Sequence, residues 1–166
     1  MMSAAMGPVW SKPKPPIIIT FEGITDSSEV ADYYNGTGPI NYGISFQSNA
    51  IALVNNPGIT NFPAPGDTVM AWVSGGDTTI TMSSGWTGTF TFTYSGASDL
   101  TVTIRDILGN ILVTSPDLPG IGGVGCSGFY LCQWNTYSLS FSGVAASVNF
   151  SGLAAEIAVD NLTFGS

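Results

Sequence analysis

The side chains able to do chemistry in this 166-residue chain are eleven carboxylates, three basic groups and two cysteines, with no histidine at all. Nucleophilic hydrolysis needs a base beside the attacking hydroxyl or thiol. Without histidine, and with Lys12 and Lys14 both near the N-terminus, the sequence offers none. Glycoside hydrolysis needs two carboxylates in a cleft, whereas Asp67 after Pro65-Gly66, Asp77 after Gly75-Gly76 and Asp106 before Leu108-Gly109-Asn110 stand where Asp bonds its own turn. The expectation is therefore a protein that is not an enzyme. Calcium suits these carboxylates better, because it takes six to eight oxygens and needs neither nitrogen nor sulfur. Glu22, Asp160 and the carbonyl-rich turn Asn35-Gly36-Thr37 would form a hard-oxygen cage, with Asp32 or Asn161 adding a ligand. The plainer alternative is that Glu22 and Asp160 end their strands in solvent.

Two strands must position those carboxylates. In the last one, Glu156–Phe164, Ile157 and Val159 alternate as a half-buried strand should. The next large apolar residues, Leu162 and Phe164, are out of phase with them. One extra residue resolves the slip, which predicts a β-bulge at Asp160–Asn161; the alternative is a polar turn starting at Asp160. The first strand, Ile17–Phe21, has Glu22 at its end. A sandwich that pairs its first and last strands would bring the two carboxylates together.

Between them the chain reads as short strands separated by turn signals. Thr87–Tyr94 is the clearest, with Phe90, Phe92 and Tyr94 on one face and Thr89, Thr91 and Thr93 on the other. Leu100–Arg105 repeats the alternation. Tyr42–Ser48, Ala50–Val54, Val69–Val73, Thr78–Ser83, Ile111–Ser115, Thr136–Phe141 and Ala146–Phe150 are further strands. About ten or eleven strands without a useful helix predict an all-β fold, a two-sheet jelly-roll-type β-sandwich. Residues 17–166 form that domain. Residues 1–16 are an extended arm stiffened by Pro13, Pro15 and Pro16. The arm's apolar tip, Met6, Val9 and Trp10, would dock on a neighbouring copy; the plainer reading is a disordered leader.

Composition bounds the partners. Only 8% of residues are charged, and the net charge is −8. So acidic a chain has no positive surface for nucleic acid, and no stretch is long and apolar enough to span a membrane. Ser, Thr, Asn and Gly in place of Lys and Glu suit a secreted or surface-assembled protein. Cys126 and Cys132 read as free thiols, a zinc half-site or a disulfide. The last is favoured, since there is no histidine and no other cysteine to complete a zinc site and a short loop would be closed in an oxidising compartment. Trp86, Tyr130 and Trp134, in loops, are candidate sugar-facing rings, while Trp72 lies in an apolar strand and reads as core.

The segments Phe21-Glu22-Gly23, Val30–Gly36, Asn41–Phe46, Ser140–Gly143 and Val159–Phe164, with the paired cysteines, resemble secreted PEP-CTERM-type bacterial proteins over residues 17–165. The sorting tail that names that family is not present before Ser166. More distantly the layout is similar to calcium-stabilised jelly-roll carbohydrate-binding modules, which implies that Glu22 and Asp160 share a structural calcium. Together these readings give a non-catalytic extracellular subunit, structural or adhesive, that self-associates through its arm; the alternative is a lectin-like module for a polysaccharide.

Overall fold

The computed structural model describes residues 7, 14–55, 62–63, 66–121 and 131–165. Met6, Val9, Trp10, Cys126 and Tyr130 lie outside the described residues. Nine strands follow one another, with no helix among the described residues. They are β1 (Ile17–Ile19), β2 (Ile44–Phe46), β3 (Ala50–Val54), β4 (Thr68–Trp72), β5 (Asp77–Gly96), β6 (Thr101–Arg105), β7 (Ile111–Thr114), β8 (Asn135–Ser151) and β9 (Ile157–Phe164). All pairings are antiparallel.

Two of these strands correct the sequence reading. Thr78–Ser83 and Thr87–Tyr94 are one strand of 20 residues, β5, and Thr136–Phe141 and Ala146–Phe150 are one strand of 17 residues, β8. Twenty residues in extended form would span about 65 Å, too long for one sheet of a small domain. The pair therefore bends, with register shifts between Thr81 and Trp86 and between Trp86 and Gly88. Gly85, Gly88 and Gly143 supply the positive φ angles that the bend requires. Each long strand thus serves both sheets. The first layer contains β2, the first half of β5, the second half of β8, β6 and β7. The second contains β3, β4, β1, β9, the second half of β5 and the first half of β8. Corner strands of this kind turn a continuous ladder into a sandwich.

The core lies between the layers. Phe92 of the second layer meets Phe150 of the first at 5.4 Å, ring edge to ring face. Trp72, Phe21, Phe90, Phe92 and Phe150 are fully buried, so Trp72 is core as expected. A smaller apolar cluster, Val69, Ala71 and Ala158, lies apart from the main core and is packed by Leu53, Phe62, Leu131 and Trp134. The alternation along β4 and β9 assigns it to the outer side of the second layer.

Candidate functional site

The strand β9 pairs with β5 along one edge and is shared by two short strands on the other. Ile17, Ile18 and Ile19 of β1 lie opposite Phe164, Thr163 and Leu162, and Met70 and Ala71 of β4 lie opposite Val159 and Ala158. Between these two partners β9 passes Asp160 and Asn161. There its register against β5 slips between Thr91↔Thr163 and Thr93↔Asp160, leaving two residues of β9 opposite one of β5. This is the bulge expected from the phase slip, and Asn161 takes φ 51° to make it.

The bulge places Asp160 on the outer side of the second layer, yet only 1% of the residue is exposed. One oxygen, Oδ1, accepts a hydrogen bond from the Asn161 N–H at 2.7 Å. The other, Oδ2, is buried without a hydrogen-bond partner. Burial pushes this carboxyl from 3.8 up to about 7; the Asn161 N–H opposes that shift and the negative charge of Glu22 adds to it. Asp160 therefore does not end its strand in solvent.

Glu22 stands across the gap between β1 and β4. Its Oε1 accepts the N–H groups of Asp67 at 3.0 Å and Thr68 at 2.9 Å, and its Oε2 meets the Thr68 hydroxyl at 3.4 Å. The carboxylate thus caps the start of β4. Gly66 makes room for it, since a Cβ there would lie 2.2 Å from Oε1. The residue before Glu22, fully buried Phe21, is held at φ 61° by ring contacts to Phe46 at 5.7 Å and Tyr34 at 6.3 Å. A left-handed non-glycine residue therefore adjoins each carboxylate, a strained arrangement typical of functional sites. Gly66 and Thr68 were missed in the sequence, although Pro65-Gly66-Asp67 marks a turn that only glycine lets a carboxylate approach.

Two of the other expected calcium ligands, Asp32 and Asn35, bond to one another. Asn35 Nδ2 donates to Asp32 Oδ1 at 2.5 Å and to Ser45 Oγ at 3.0 Å, and Asn35 Oδ1 accepts the Thr37 N–H at 2.9 Å. These bonds make a self-contained turn. Among the described residues no three of Asp, Glu, Cys and His gather into a cluster. At the β9 bulge Asp160 keeps one buried oxygen without a hydrogen-bond partner, and the charge of Glu22 is felt there.

The aromatic candidates divide. Trp86 is buried, packed on Phe164 at 5.0 Å, Phe141 at 5.9 Å and Phe90 at 6.2 Å. Its expected exposure is thus corrected: the corner bend of β5 turns this ring into the core. Trp134 is half-buried and meets Phe62 edge to face at 5.8 Å on the outer side of the second layer. Among the described residues Tyr42 carries the one exposed ring, at 39%; it stacks on Tyr34 at 6.1 Å.

Beside Trp134 the outer face of the second layer is lined by hydroxyls. Thr89, Thr91 and Thr93 lie opposite Ser140, Ser138 and Thr136, and Thr163 lies opposite Thr91 on the other side. Thr93 and Thr136 hydrogen-bond at 3.0 Å, and Thr91 bonds Ser138. Thr136, Ser138 and Ser140 are exposed, and Thr89, Thr91 and Thr163 half-buried.

No family model matches the chain, and no curated protein matches it. Solved structures do. The K2 cleaved adhesin domain of Lys-gingipain aligns with a TM-score of 0.57 at 12% identity, covering 90% of this chain and 99% of that one. Two mutants of a family 29 carbohydrate-binding module align with TM-scores of 0.53 and 0.52 at 11% and 10% identity, each covering about nine-tenths of both chains. At such identities the likeness is one of architecture, and the chain is an all-β, antiparallel jelly-roll-type sandwich.

Proposed function

We propose that this chain is a non-catalytic extracellular adhesive subunit that meets its partner with the hydroxyl-lined outer face of the second layer. The observation that carries the reading is the ladder of Thr89, Thr91, Thr163, Ser138 and Ser140 on one sheet face, hydroxyls that each donate and accept, with no charged side chain among them. Such a face offers many neutral hydrogen bonds to a hydrated surface. The architecture shared with an adhesin domain supports it. The N-terminal arm, with Met6, Val9 and Trp10, is proposed to hold copies together. A calcium ion held by Glu22 and Asp160 is proposed to lock the β1–β9–β4 junction beneath the face.

A second reading, a lectin-like polysaccharide-binding module, is favoured by Trp134. This ring borders the same hydroxyl face, and sugar sites combine a ring with hydrogen-bonding groups. The architecture shared with carbohydrate-binding modules supports it. One experiment tests both. Retention of the full chain is measured on surfaces coated with cellulose, mannan or denatured protein. A Ser138→Trp substitution, which fills the face from an exposed position, should abolish retention without changing the melting temperature. Retention unchanged by Ser138→Trp would remove the face from the function. Release by soluble oligosaccharide separates the lectin-like reading from the adhesive one.

A further inference from the structure

The outer edges of β2 and β3 are both covered. Residues 27–30 run along β3, with Ser27 and Val30 N–H groups on the carbonyls of Ala52 and Ala50 at 2.8 and 3.0 Å. Along β2, the Ile44 and Phe46 N–H groups reach the carbonyls of Tyr34 and Ala31. The strand β7 has no such cover among the described residues; its ladder partner is β6 alone. The Ser115 N–H donates to Val102 O at 2.8 Å and the Val102 N–H to Ser115 Oγ at 2.9 Å, so Val102 and Ser115 turn their N–H groups toward one another. Antiparallel pairs alternate, so Ile104 and Val113 are the next such pair. Thr114, opposite Thr103, then turns its N–H and C=O to the open edge.

The hairpin leading into this edge is rigid and apolar at its tip. Asp106 Oδ1 accepts the N–H groups of Leu108 and Asn110 at 2.9 and 2.8 Å, and Oδ2 accepts Asn110 Nδ2 at 2.9 Å. This cap holds Ile107 74% and Leu108 83% exposed, and Ile111 at the start of β7 is 57% exposed. Natural edge strands are normally blunted by lysine, proline or a cover. From Ile107 to Ser115 there is neither charge nor proline, and the one bulge, which leaves Leu112 unpaired between Ile111 and Val113, stops short of Thr114.

We infer that β7 is a pairing edge for β7 of a second copy, joined antiparallel about a two-fold axis, with Ile107, Leu108 and Ile111 packing across the seam. The occupant is a second copy because the surface is self-complementary: an open strand offers the same donors and acceptors to its own image. Charge argues the same way. A chain of net charge −8 repels its copies, and this edge is a place where two can meet with no like charges opposed. Four-residue strands and a hairpin tip bury less than the roughly 1,000 Å² of a stable interface, so the dimer forms at high protein concentration. The contact is independent of the hydroxyl face and of the arm.

The full chain is studied by sedimentation across a wide concentration range, with hydrogen exchange read residue by residue. The weight-average mass should climb from 17.2 kDa toward twice that value. Protection of the Thr114 amide should rise with concentration while that of Val113 stays constant. Leu108→Lys and Ile111→Lys, both at exposed positions, should keep the melting temperature and hold the protein monomeric. A wild-type mass of one subunit at all concentrations overturns the inference. So does a Thr114 amide that exchanges alike in dilute and concentrated protein, or a dimer broken by Trp10→Asp but not by the edge substitutions.

Discussion

Asp160 carries more consequence than any other single side chain. Its folded-state carboxyl is raised to about 7, from an ordinary 3.8, chiefly by burial. The folded protein therefore binds this proton more tightly than the unfolded chain does. In chelator, that contribution to stability is complete below about pH 4 and is lost as the pH climbs through about 7. A bound cation reverses the preference, because it is the ionised carboxylate that it holds. Asp160→Asn separates the two states. In chelator at pH 8 the variant should melt above the wild type, having no charge to bury. In millimolar calcium it should melt below it, since a ligand that binds the folded state alone stabilises by mass action. Wild-type melting curves that coincide with and without calcium would refute the cation.

At the scale of elements, the bulge of β9 beside β1 was legible where alternation broke, while the place of β4 on the same edge of β9 was not. The slip from Val159 to Leu162 located the bulge, and pairing of first and last strands followed from the carboxylates at their ends. The bend was not legible. Alternation in Thr78–Ser83 and in Thr87–Tyr94 is the same on both sides of Gly85, so two strands and one bent strand give the same pattern. Trp86 was misplaced for that reason: a residue at a corner looks like a loop residue in sequence. The Glu22 cap was hidden too, because Glu22 and Thr68 are 46 residues apart and local pattern says nothing of such contacts. The cap can be tested from its far side. Gly66→Ala would thrust a Cβ to 2.2 Å from Glu22 Oε1, whereas Gly143→Ala, at a similar φ of 95°, meets Leu112 at an ordinary 3.6 Å. Both carry the cost of a left-handed alanine. Only the first also frees two N–H groups, so it should be less stable by a further ~1–3 kcal/mol in denaturant melts. Equal losses would show that the cap contributes nothing.

For the whole molecule, the few charges and the many hydroxyls make a surface that is proposed to adhere by neutral contacts. Its integrity in the open environment is proposed to rest partly on a bond between Cys126 and Cys132. Closing so short a loop stabilises a fold by roughly 2 kcal/mol on the chain-entropy model. Intact-mass measurement of non-reduced protein should find it two hydrogens lighter than the reduced form, and labelling of both thiols in the native protein would contradict the bond. Leu131 belongs to that loop and Trp134 follows it closely, and both pack on the outer apolar cluster. Reduction should therefore weaken binding at the hydroxyl face before it unfolds the sandwich.

The pairing of β1 with β9 also decides how the domain bears a pull. Ile17 lies opposite Phe164 in an antiparallel pair, so the two ends of the sandwich leave side by side at one corner. Tension applied between those ends would run across the ladder rather than along it. Bonds would then open one at a time, as in a zip, instead of sharing the load as they do in shear. Three residues of β1 would peel first, and the force would arrive next at Phe21 and the Glu22 cap. A copy strung in line between two anchors would thus yield at low force. A copy held from one end alone would leave its hydrogen-bonded core out of the path of the load, and the strength of the attachment would be set by its outer faces.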